Sequence, residues 1–350
     1  MLGKIKNARF GVLMGMIISG VLIIALVCVL CLQPKIDTGL NIDRTTDNGQ
    51  TEVLPVIDES YTPSKNASTT DYPTTGTKQG TITVDTDSSS NTTLTATPLD
   101  DGNNKYVFAY WQKGNVKISG DATIKVTNYS SGTYTPVFIA ETLNGTATNK
   151  VHRVDNLSSS ISEYLTSANK YGAGHIFILK QDITFTGTFT PLGTNTSGAT
   201  PTGFAGIIDG AGHKLINFKA QISGTAQTYF GGIVCHLNGG VIKNLTIASG
   251  EVTATSSNHV GSFAGQVTNG LISRCANYAK ITGKSSAGYA AGIASIVSGS
   301  AHTSAFYYNY NYGSITANYV GAIVYSNGTA SSPNAYLIKN VNLGSFQTTT

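Results

Sequence analysis

Charge is scarce in this chain. Asp, Glu, Lys and Arg make up 11% of its 350 residues, where an ordinary soluble domain carries about a quarter. With so few helix-favouring Lys and Glu there is little from which to build long amphipathic helices. The net charge of +4 is small and scattered, which argues against a nucleic-acid partner, since that requires a clustered basic face. Cysteine is equally thin. Cys28 and Cys31 fall inside a hydrophobic run, leaving Cys235 and Cys275. These two could bridge in an oxidising compartment, but they read first as small buried apolar side chains. The paired CxxC spacing of a structural zinc site does not occur.

Carboxylates nearly run out in the distal half. From Phe204 onward the acids are Asp209 and Glu251 alone. A glycosidase needs two carboxylates about 5–10 Å apart across the scissile bond, and a calcium-assisted lyase needs a cluster of them. The histidines at 152, 175, 213, 236, 259 and 302 form no HExxH and no paired metal spacing. There is no GxSxG and no phosphate-binding loop. The expectation is a protein that is not an enzyme, with no catalytic residues, no cofactor and no metal.

What is present begins with one long apolar run. Phe10 to Leu32 is free of charge, and as a helix it spans about 34 Å, enough for a bilayer core of roughly 30 Å. Lys4, Lys6 and Arg9 precede it, and positive flanks stay cytoplasmic. A cleaved signal peptide has a shorter apolar core ending in a small-x-small site. A lipoprotein cysteine wants a small residue where Val27 and Leu30 stand. The reading is therefore a cytoplasmic 1–9, a transmembrane signal anchor over 10–32, and a single-pass protein of the cell membrane with its bulk outside.

Residues 33–99 are dominated by Thr, Ser, Asp, Asn and Pro. The composition predicts a disordered stalk, with too few apolar residues to offset the entropy of ordering. Over 100–141 short apolar and aromatic segments alternate with Gly, Asn and Ser turns, as in a small β module. A connector follows over 142–175. Within it Leu157, Ile161, Tyr164, Leu165 and Ala168 have helical spacing, with Ser158 to Ser160 as N-cap candidates. Such a helix would cover the open edge of whatever follows.

Residues 176–346 repeat. Phe230-Gly-Gly-Ile-Val, Val260-Gly-Ser-Phe-Ala, Ala290-Ala-Gly-Ile-Ala and Val320-Gly-Ala-Ile-Val recur at intervals of thirty. A second register aligns segments 214–220, 241–247, 271–277 and 337–343. In it apolar residues are spaced three and then two apart, as in two short strands meeting at a corner. Stacked coils would place Leu215, Ile242, Ile272 and Ile338 in one inner column and Phe218, Leu245, Cys275 and Val341 in another. Lys243-Asn244 would lie outside the corner, glycines would mark turns, and Asn217, Asn244 and Asn340 would stack as a ladder. The fold class is mainly β: a right-handed parallel β-helix of about 30-residue coils, with 347–350 as a tail and no cap visible after Phe346.

Two resemblances follow from these residues. Phe108, Trp111, Gly114, Tyr134 and Phe138 resemble the internalin-type B repeat of bacterial surface proteins; Trp111, the one Trp of the chain, reads as the core of this module rather than a ligand platform. Gln181-Asp182-Ile183, Phe189-Thr-Pro191-Leu-Gly193 and Phe204-Ala-Gly-Ile-Ile-Asp209-Gly-Ala-Gly-His213 resemble the opening of GLUG-motif β-helices, also of bacterial surface proteins. A literal Gly-Leu-Val-Gly is missing, with GGIV, GSFA, AGIA and GAIV in its place. That likeness makes Asp209 and His213 turn residues rather than a proton relay.

One segment breaks the repeat: 301–316 runs about four residues long and carries Tyr307, Tyr308, Tyr310 and Tyr312. On a straight strand the last three would share a face, either as a ligand platform with hydroxyls or as a ladder bracing the surface. The functional expectation is a non-catalytic surface protein for adhesion or ligand binding, its partner a glycan or an extracellular protein. The alternatives are a passive spacer and, more distantly, a polysaccharide-acting enzyme.

Overall fold

The structure is a computed structural model and describes residues 44–45, 51–52, 64, 66–127, 129–193, 203–222, 229–255, 258–284, 288–327 and 333–349. The expected anchor at 10–32, Cys28 and Cys31 lie outside these. Among the described residues, no helix is long and apolar enough to cross a membrane.

Two short strands, β1 (Arg44–Thr45) and β2 (Thr51–Glu52), pair antiparallel. Strands β3 (Ser68–Tyr72), β4 (Gly80–Thr86) and β5 (Asn91–Pro98) then fall where the stalk was expected. Threonine composition masked an alternation: in β4 and β5 Ile82, Val84, Leu94 and Ala96 point one way between solvent-side threonines. Threonine is itself a good strand former. The strands β6 (Lys105–Lys113), β7 (Val116–Ser119), β8 (Thr123–Thr127), β9 (Tyr134–Leu143) and β10 (Thr146–Ala147) complete two four-stranded sheets, ordered β3-β4-β5-β8 and β10-β9-β6-β7. The small module is thus twice the expected length. Its core gathers Leu94, Ile124, Phe108, Trp111, Tyr134 and Phe138. Trp111 is fully buried and donates its indole N–H to the Ala122 carbonyl at 3.1 Å, so its core role holds.

The rest is a parallel β-solenoid of about five coils of about 31 residues each. A full coil contributes one strand to each of five faces. The first face stacks Val151–Val154, Ile176–Leu179, Ile207–Asp209, Val241–Lys243, Leu271–Ser273, Ser304–Tyr307 and Ala335–Ile338. The second runs from Ile183–Thr184 to Val341–Asn342, and the third from Thr188–Phe189 to Phe346–Thr348. The fourth (Tyr229–Gly231 to Tyr319–Gly321) and the fifth (Val234–Asn238 to Val324–Asn327) hold four strands each.

The inner column of the first face is Phe177, Ile208, Ile242, Ile272 and Phe306, all fully buried. Each such burial contributes about 1.5–3 kcal/mol. This corrects the columns expected from sequence. Leu215 pairs with Ile247 on the second face, and Ile338 pairs outward with Tyr307. The thirty-residue interval holds for Val260, Ala290 and Val320, whereas Phe230 sits opposite His259.

The corner after the first face recurs as Asn244, Arg274, Tyr308 and Lys339, with φ between 50° and 54°. Asn217 and Asn244 occupy left-handed corners and do not stack on one another. Asn217 donates to the Phe185 carbonyl, and Asn244 to Asp209. The ladder is built instead by Asn277, Asn311 and Asn342, linked amide to amide at 2.8 and 2.7 Å. Asn309 and Asn340 form a second, at 2.9 Å. Among the repeat glycines, a Cβ on Gly292 would run into the Ala322 carbonyl and the Asn311 side chain, so that coil junction admits no side chain.

The connector helix is a single turn, α1 (Ser158–Ser162). Asn156, not a serine, accepts an N–H of its first turn, from Ser159 at 3.2 Å. Leu157 and Ile161 are fully buried and enter the solenoid core with Tyr164 and Leu165 beside them. The helix that carries this apolar stripe is short, and Ala168 is exposed. Cys235 and Cys275 are both buried, as small apolar side chains are. Burial pushes the Cys275 thiol up to about 12.

Candidate functional site

The long insertion does not put its tyrosines on one face. Tyr307 is fully buried, roofed by the small module, whose Ala109, Val107 and Tyr110 pack with it and with Leu271 and Val241. It therefore cannot touch a ligand, which corrects the expectation for this residue. Tyr308 sits at the left-handed corner (φ 54°), and that turn breaks the strict alternation a straight strand would impose. Its ring lies under the Lys339 ammonium, 5.1 Å from the centroid, and within 6.0 Å of the Arg274 guanidinium.

Tyr310 and Tyr312 do face outward, on the second face. Tyr310 is half-buried between its cross-strand neighbours Ala276 and Val341. Tyr312 is 38% exposed and stacks on Tyr278 of the previous coil, 49% exposed, with centroids 4.4 Å apart and planes within 5°. Tyr278, Tyr312 and Leu343 each follow one asparagine of the buried ladder, so the three form one outward column. Leu343, at 66%, ends it. The ladder amides inside fix the height of the tyrosines outside.

A second outward aromatic column, missed in the sequence, occupies the fourth face. Phe230, His259, Tyr289 and Tyr319 stack with centroids 5.1, 4.6 and 4.8 Å apart and planes within 17°. Tyr325 leans on it, 5.0 Å from Tyr289. The readable signal was the aromatic or histidine just before each repeat motif: His259 before Val260, Tyr289 before Ala290 and Tyr319 before Val320. Sandwiched in this column, His259 is pushed down to about 4 by desolvation. In both columns the rings occupy one another's faces, and solvent sees edges and hydroxyls.

Where the small module meets the first face lies a buried charge cluster. Lys243, expected on the outside of a corner, is covered, and its ammonium donates to the carbonyls of Ala109 at 2.9 Å, Phe108 at 3.2 Å and Gly120 at 3.3 Å. Asp209 pairs with it at 3.4 Å and accepts the Ala211 N–H at 2.9 Å. Arg274 pairs with Asp121, whose carboxyl burial pushes up to about 6 against the pull of Arg274 and Lys243. The candidate relay is not assembled, since His213 lies 3.3 Å from Asp182, not Asp209. Glu251 has Lys219 and Lys280 as its cross-strand neighbours. Among the described residues, no three or more His, Cys, Asp or Glu converge as a metal site.

No family model matches the chain, and neither the curated proteins nor the solved structures contain a match to it.

Proposed function

We propose that the chain is a non-catalytic display protein of a bacterial cell surface, held by the apolar segment at 10–32, whose solenoid presents an outward aromatic face to an extracellular protein. The observation that carries this reading is the column of Tyr278, Tyr312 and Leu343, three large apolar side chains in register and left in solvent. Soluble surfaces scatter such residues singly, and a contiguous set marks a contact. Edge-on rings with hydroxyls, ending in a leucine, suit a protein surface better than the flat stacking a sugar ring needs. The likeness to GLUG-motif and B-repeat surface proteins points the same way. The two distal carboxylates support it too, because one is tied to Lys243 and the other lies between lysines.

The second reading is a passive spacer. The mutual stacking of the columns favours it, since stacked rings also brace a thin solenoid. The discriminating experiment displays the full chain on bacterial cells and measures their adhesion to immobilised extracellular proteins. Adhesion above that of cells lacking the chain, lost after brief protease treatment of intact cells, is the expected result. Equal adhesion by both would leave the spacer.

A further inference from the structure

A second site lies in the small module, away from the aromatic columns. Where its two sheets diverge, a cleft of about 430 Å³ opens, lined by residues of β3, β4 and the segment leading into β9. That volume falls in the range of small-molecule sites, about 300–1,000 Å³. The floor is apolar: Ile82 and Val84 belong to the core of the sandwich but are only partly buried. The walls are aromatic. Tyr129 and Tyr134 lie nearly parallel, 27° apart with centroids at 6.4 Å, and Tyr72 stands against Phe138 at 6.1 Å.

The polar chemistry of the cleft is hydroxyl. Eight of its thirteen lining residues are Ser, Thr or Tyr. Its one carboxylate, Asp71, is neutralised by the Lys78 ammonium at 2.7 Å. Lys113 stands over the Tyr134 ring at 5.7 Å without lining the cleft. A site with no net charge gives neither an anion nor a cation a counterpart. Tyr134 is buried behind Tyr129, so the half-buried Tyr129 is the ring whose free face gives the apolar side of a sugar a surface to stack on. Hydroxyls, which both donate and accept, match the paired donor–acceptor character of sugar hydroxyls.

We infer that this cleft binds a neutral saccharide, with the half-buried Tyr129, backed by the buried Tyr134, stacking on the ring and the Ser and Thr hydroxyls of the rim holding its hydroxyls. The site is independent of the solenoid's tyrosine column, so the module would recognise glycan while the solenoid contacts protein.

The test is titration of the purified full chain with neutral trisaccharides of glucose, galactose and N-acetylglucosamine, followed by ligand-observed NMR, beside a sialylated and a sulfated trisaccharide. At least one neutral trisaccharide should bind below roughly 10 mM, the weak end of specific recognition, in preference to the acidic ones. Tyr129→Ala, at a half-buried position outside the strands, should weaken that binding about tenfold while circular dichroism stays unchanged. Tyr129→Phe, which keeps the ring, should stay within about threefold, and Lys219→Ala, at an exposed position on the third face of the solenoid, should bind as wild type. No neutral binding, a preference for the acidic sugars, or undiminished binding by Tyr129→Ala would each overturn the assignment.

Discussion

The ammonium of Lys243, on the first face of the solenoid, donates a hydrogen bond of 2.9 Å to the backbone carbonyl of Ala109 in the small module. Lysine is almost never so deeply buried unless its donors are matched. Here three carbonyls and the Asp209 carboxylate match them, and the Phe108 ring lies 5.1 Å away. The contact fastens the module over outward-facing Val241, Leu271 and Tyr307, turning the first face into a sheet buried on both sides.

Removing that ammonium leaves Asp209 and three carbonyls without it in a buried interface. Lys243→Ala should destabilise the chain by about 3–5 kcal/mol, as breaking a buried ion pair does. Chemical denaturation measures the loss. Hydrogen exchange should also show protection falling first along β6 and β7.

The asparagine ladder is a sharper case. Asn311 is fully buried, accepts from Asn277 and has two amide N–H donors for the Asn342 side chain and the Gly313 carbonyl. Asn311→Ala strands both neighbouring amides, and each buried unpaired polar group costs about 1–3 kcal/mol. Its denaturation midpoint should fall well below that of Asn217→Ala, whose side chain is exposed.

Acid should loosen the fourth face. His259 is held neutral in the folded chain, down to about 4 by desolvation, against an ordinary 6.5. Between those values the unfolded chain takes up the proton and the folded chain does not. Stability is therefore present above about 6.5 and lost as pH falls towards 4. The loss is on the order of 2–3 kcal/mol. His259→Phe should flatten this part of the stability–pH curve and leave the aromatic column continuous.

The Tyr307 hydroxyl is buried and has no hydrogen-bond partner among the described residues. Desolvation raises its pKa well above 10. Tyr307→Phe keeps the packing and deletes the unmet group, so thermal unfolding should occur at the same temperature or higher. Tyr307→Ala should cost about 3–5 kcal/mol, as large-to-small core changes do.

The architecture was legible in the sequence because a solenoid repeats its signal. Val260, Ala290 and Val320 announced a coil near thirty residues, and they are cross-strand partners. Local pattern failed where tertiary contact decides. Lys243 and Tyr307 look like surface residues until the small module covers them, and nothing in their own coil encodes that cover. Asn277 and Asn311 replace an inward Ile247 and read as polar exceptions, although stacking lets each amide satisfy the next. Abundant threonine hides the strands at 68–98, whose signal is the alternation of Ile82, Val84, Leu94 and Ala96. Of the four tyrosines of the long insertion, Tyr310 and Tyr312 lie in an outward patch, and the left-handed turn at Tyr308 separates them from Tyr307. Tyr278, the partner that completes the column, is one coil away in sequence and could be found only by aligning the asparagines.

The most direct test of the display reading is binding of the purified full chain to an array of extracellular proteins, beside the double variant Tyr278→Ala/Tyr312→Ala. Both side chains project into solvent, so the variant should keep its circular dichroism and unfold within about 1 kcal/mol of wild type. The account predicts specific binding to at least one protein by the wild type, reduced tenfold or more in the variant. Binding that survives the double substitution, or none by a folded wild-type chain, would contradict it.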